Sequence, residues 1–77
     1  MTIQDKLRKL ALLCTLIKKE QTGGIRKLAE AASLTKSSTF NYLRELKVMG
    51  AEIEYDPHRH TYYFNNNFDF KYSINLK

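Results

Sequence analysis

The sequence predicts an α+β domain, with three amphipathic helices over the first fifty residues and short strands after them. Apolar residues recur every three or four positions up to Gly50 and every second position beyond it. The chain has 77 residues, the size of one small domain, and Cys14 is its only cysteine, so no disulfide framework supports it. A core that small leaves little margin of stability.

The first helix opens on a capping box, in which Thr2 and Asp5 satisfy each other's free backbone amides. Ile3, Leu7, Leu10, Cys14 and Ile17 follow at helical spacing, and Leu13 and Leu16 widen that stripe. Cys14 stands among leucines and reads as a small buried apolar residue rather than a reactive thiol. Gln21-Thr22-Gly23-Gly24 ends the helix near Glu20. A second, short helix fits Ile25 to Ala32, with Ile25, Leu28, Ala29 and Ala32 on one face. Ala29 there allows another helix to approach closely.

Ser33-Leu34 interrupts the pattern, and Thr35 is an N-cap for a third helix reaching about Met49. Its buried stripe is expected to be Thr39, Leu43, Leu46 and Met49, with Gly50 closing the end in a left-handed conformation. Ile53 and Tyr55 then alternate with Glu52 and Glu54, Asp56 to His60 reads as a turn, and Tyr62 and Phe64 alternate with Tyr63. The two strands form a hairpin. After Asn65-Asn66-Asn67, alternation from Phe68 to Leu76 predicts a third strand.

The net charge of +5 is unevenly placed. Residues 1–50 carry ten Lys/Arg against four Asp/Glu, giving +6, and residues 51–77 carry three against four, giving −1. A basic helical part suits a polyanionic partner, though surplus lysine also serves solubility. No signal-peptide pattern and no apolar run of membrane-spanning length appear, so a cytoplasmic protein with no membrane partner is expected.

Three helices followed by a hairpin is the order of a winged helix-turn-helix. Ile25-Arg26-Lys27-Leu28-Ala29-Glu30 resembles the second-helix motif of DeoR-like and related bacterial transcriptional regulators. Leu34-Thr35-Lys36-Ser37-Ser38-Thr39, with Leu43 and Leu46, resembles their recognition helix, and Gly50 to Asp56 with Tyr62 and Phe64 resembles their wing. The resemblance covers about residues 3–64. It implies a winged-helix domain over residues 1–64, a C-terminal extension over 65–77, and sequence-specific binding of double-stranded DNA in transcription regulation. The third helix would then enter the major groove while the hairpin touches the flanking backbone.

On that helix, Lys36, Ser37, Ser38, Phe40, Asn41 and Arg44 are the candidate DNA contacts. Asn41 suits adenine, Arg44 suits guanine or a phosphate, and the serines suit phosphates. Phe40 stands open between a thymine-methyl contact and a place in the core. The family commonly has basic residues where Phe40 and Asn41 stand and an aspartate where Tyr42 stands. Arg26 and Lys27 in the second helix and Arg59 at the wing tip are further phosphate candidates. His58 and His60 flank Arg59 but lack the further ligands a zinc site needs, so no metal or other cofactor is expected. No phosphate-binding glycine loop, nucleophile elbow or paired apolar carboxylates point to an enzyme. The alternative is a protein-interaction module docking through Phe68 to Leu76, an adhesive strand that also offers a route to a homodimer.

Overall fold

The structure, a computed structural model, describes residues 3–68. The elements are α1 (Ile3–Lys19), α2 (Ile25–Ala31), α3 (Lys36–Val48), β1 (Ile53–Asp56) and β2 (Thr61–Phe64). Three helices precede a two-stranded antiparallel sheet, the winged-helix arrangement expected from the sequence. Thr2 of the expected capping box lies outside the described residues, as does the expected third strand beyond Phe68, and with it the dimer contact.

Local chemistry sets the helix ends. Thr35 accepts the Ser38 backbone N–H on its hydroxyl at 3.1 Å and so caps α3. Two helices end in the same double hydrogen bond. After α2, Leu34 N–H donates to the Ala29 carbonyl and Ser33 N–H to Glu30. After α3, Ala51 N–H donates to Leu46 and Gly50 N–H to Lys47. The residue at the bend is left-handed in both, Ser33 at φ 58° and Gly50 at φ 113°. At the end of α2, the Lys9 ammonium of α1 donates to the Ala32 carbonyl at 2.5 Å, setting a cation against a helix C-terminus.

The core draws Leu10, Leu13 and Ile17 from α1, Leu28 from α2, Tyr42, Leu43 and Leu46 from α3, and Ile53 from β1. The stripe expected for α3 needs one correction. Met49 is 45% exposed and Tyr42, at 7%, takes the buried place. Tyr42 stands three residues after Thr39 and four before Leu46, on the same inward face, whereas Met49 is the C-cap, just past the last helical residue Val48.

The hairpin pairs Ile53 with Phe64, Glu54 with Tyr63, Tyr55 with Tyr62 and Asp56 with Thr61. Asp56 ends β1 rather than opening the turn. Asn66 closes the base of the hairpin, accepting the Glu52 N–H at 3.2 Å and donating to the Gly50 carbonyl at 2.9 Å. The outer flank of β2 is held by the loop between α1 and α2. Thr22 N–H donates to Thr61 Oγ1 at 3.0 Å, and Tyr62 N–H donates back to Thr22 Oγ1 at 2.9 Å. Both threonines are buried. These bonds fix the wing to the helical body.

Candidate nucleic-acid interface

The inward face of α3 is Thr39, Tyr42, Leu43 and Leu46. That leaves Lys36, Ser37, Phe40, Asn41 and Arg44 exposed along the opposite side, at spacings that keep them on neighbouring turns. The polar edge therefore stays open to a partner among the described residues. Phe40 is 47% exposed, so it belongs to this surface and not to the core.

Two shallow grooves flank the crest of the helix. The one toward the wing, about 230 Å³, is lined by Phe40, Leu43, Arg44, Lys47, Ile53 and Tyr62. Its floor is apolar and its rim carries two cations. Burial pushes the Tyr62 phenol above its ordinary pKa, with Tyr55 adding to the shift. The groove toward α1, about 250 Å³, is lined by Lys6, Ser38, Asn41, Tyr42 and Glu45. Lys6 there is paired with Glu45 at 2.9 Å, so its charge is answered within the protein. Ser38 lines this second groove and its N–H serves the cap, which sets it apart from Ser37 on the open side. Across the crest, Arg44 Nη1 donates to Asn41 Oδ1 at 3.1 Å.

Arg26 and Lys27 are exposed on the first turn of α2, and neither charged head has a polar partner among the described residues. The stem of Lys27 lies against Gly23, which orients that side chain. Lys47 was not apparent as a site residue from the sequence. It stands three positions after Arg44 and seven after Phe40, so counting along the helical face could have found it.

Arg59 is brought elsewhere. Its Nε donates to Asp56 Oδ2 at 2.8 Å and its Nη1 to Glu20 Oε1 at 2.8 Å. The guanidinium also lies 5.6 Å from the Tyr63 ring centroid. Tyr63 alternates with Tyr62, which lines the groove against α3, so Arg59 rests on the other face of the hairpin. It clasps the wing to the end of α1, where Glu20 takes a left-handed φ of 56°. Asp56 is held below its ordinary carboxylate pKa, chiefly by the Arg59 side chain, against a smaller opposing effect of burial. The His58 and Arg59 backbone N–H groups add to the lowering.

Among the described residues, no group of three or more His, Cys, Asp or Glu side chains could hold a metal ion, and no helix is long and apolar enough to cross a membrane. No protein-family model, curated protein or solved structure matches the chain, so the chemistry of this face rests on its own residues.

Proposed function

We propose that the protein binds double-stranded DNA sequence-specifically, with α3 in the major groove, and acts in transcription regulation. The observation that carries this reading is the division of α3. Four residues anchor one side in the core, while Lys36, Ser37, Phe40, Asn41 and Arg44 project from the other with Lys47 beside them. A helix of this kind fits the major groove, where base edges present distinct donor and acceptor patterns. Phosphate contact falls to Lys36, Lys47, Arg26 and Lys27, with Arg44 shared between phosphate and base. Arg59 holds the wing in place instead. The resemblance of the second and third helices to bacterial regulators supports the same assignment.

The test is a fluorescence-anisotropy titration against duplex DNA over a range of salt. With about five phosphates neutralised, log affinity is expected to fall against log salt with a slope of about −4 to −5. A flat salt response, or no binding to duplex at low salt, would overturn the proposal.

A further inference from the structure

We infer that Asn41 and Arg44 read DNA as one coupled unit, and that the coupling makes Asn41 select guanine where a free asparagine would select adenine. This rests on the DNA-binding reading above. An asparagine recognises adenine with both ends of its amide, accepting from the N6 amino group and donating to N7. Here Oδ1 already accepts from Arg44 Nη1 at 3.1 Å. The orientation of the amide follows from chemistry alone. A guanidinium only donates, so the Asn41 atom facing it is the carbonyl oxygen, and the NH₂ group is turned away.

The unit therefore presents both amide hydrogens of Asn41 and the remaining N–H groups of Arg44, against a single remaining lone pair on Oδ1. Guanine offers two acceptors in the major groove, N7 and O6, whereas adenine offers one acceptor and one donor. A surface made almost wholly of donors complements the first and not the second. Reading adenine requires Asn41 either to give up Arg44 or to share its oxygen between two donors. Both residues are exposed and stand one helical turn apart, so the unit spans neighbouring base pairs and selects guanine at each.

The experiment is selection of bound duplexes from a randomised library by the full chain, by Asn41→Ala and by Arg44→Ala. The side chains are exposed, so both variants are expected to keep the wild-type circular dichroism spectrum. The position at which Asn41→Ala loses preference marks the base that Asn41 reads. Wild type is expected to prefer guanine there by about tenfold or more, the scale of one good base contact. Arg44→Ala frees Oδ1 and is expected to reverse that preference to adenine at the same position. Replacing the selected guanine with 7-deazaguanine, which lacks the N7 acceptor, is expected to weaken wild-type binding by about tenfold. Adenine selected there by wild type, or guanine kept there by Arg44→Ala, overturns the coupling. Salt-dependent binding without sequence preference overturns the coupling and the sequence-specific part of the DNA reading, while duplex binding itself stands. Absence of salt-dependent binding to any duplex overturns the DNA reading and this inference with it.

Discussion

Gly23 shows how closely single residues are fitted at the turn into α2. Its φ is +73°, and a Cβ built there would stand 2.7 Å from Lys27 Cδ and 3.0 Å from Lys27 Cβ. Gly23→Ala therefore meets both an unfavourable backbone conformation and a crowded side chain. It is expected to lower the free energy of unfolding in urea by about 1–2 kcal/mol. Gly24 differs, since it caps α2 in an extended conformation with φ −78° and has open space around it. Gly24→Ser supplies a hydroxyl where an N-cap uses one and is expected to raise stability slightly. Equal denaturation midpoints for the two variants would refute this account. At this scale the sequence was legible wherever the chemistry is local. Thr35 as a cap and Gly50 as a left-handed stop follow from their own side chains and nearest neighbours. Tyr42 in the inward stripe was legible from spacing, three residues after Thr39 and four before Leu46, whereas the exposure of Met49 at the C-cap was not. Of the partners of Arg59, Asp56 is only three residues away, but Glu20 was hidden, since it lies 39 residues away and nothing in the order of residues links them.

Among the elements, α3 and the hairpin are held in different ways. The third helix is anchored by apolar burial, so its exposed edge keeps its shape without help from charge. The tip of the wing depends on Arg59 with Asp56 and Glu20, a cluster that responds to pH. The Asp56 carboxyl titrates below its ordinary value of 3.8 in the folded protein. A depressed carboxyl contributes stability that is fully present above the unfolded pKa and is lost as pH falls through the folded one. The clasp is therefore expected to hold at neutral pH and to open only in acid, below about pH 4. Amide chemical shifts of His58 and Arg59 followed by NMR should show that step, and Asp56→Asn should abolish it. Shifts that stay unchanged in acid, or that move equally in Asp56→Asn, would refute this account. The order and type of the elements were visible in the sequence from the change of period at Gly50. Their mutual attachment was not, because periodicity reports which face is apolar and not what it meets.

Taken whole, the described part of the molecule is built around a thin core. Among the described residues, no buried side-chain nitrogen or oxygen lacks a hydrogen-bond partner. A domain of this length has about 4–10 kcal/mol of stability in all. Leu13 is fully buried where α1 meets the rest of the core. Leu13→Ala is expected to cost about 2–5 kcal/mol, enough to remove much of the cooperative melting transition. Leu12→Ala, at a neighbouring position 37% exposed, is expected to cost under about 1 kcal/mol. Similar melting temperatures for the two would mean that the core is not where the structure places it. The face proposed to meet DNA carries none of this burden, which leaves Asn41 and Arg44 replaceable without loss of the fold.

The exchange of hydrogen bonds between Thr22 and the second strand makes a loop behave as though it belonged to the sheet. Its backbone N–H is sealed from water by a threonine 39 positions further on. In deuterated solvent that proton should be replaced as slowly as those of the strands, while the amides of Gln21 and Gly24 on either side are replaced quickly. A Thr22 amide that traded its proton as fast as its neighbours would mean that the wing swings free of the helices.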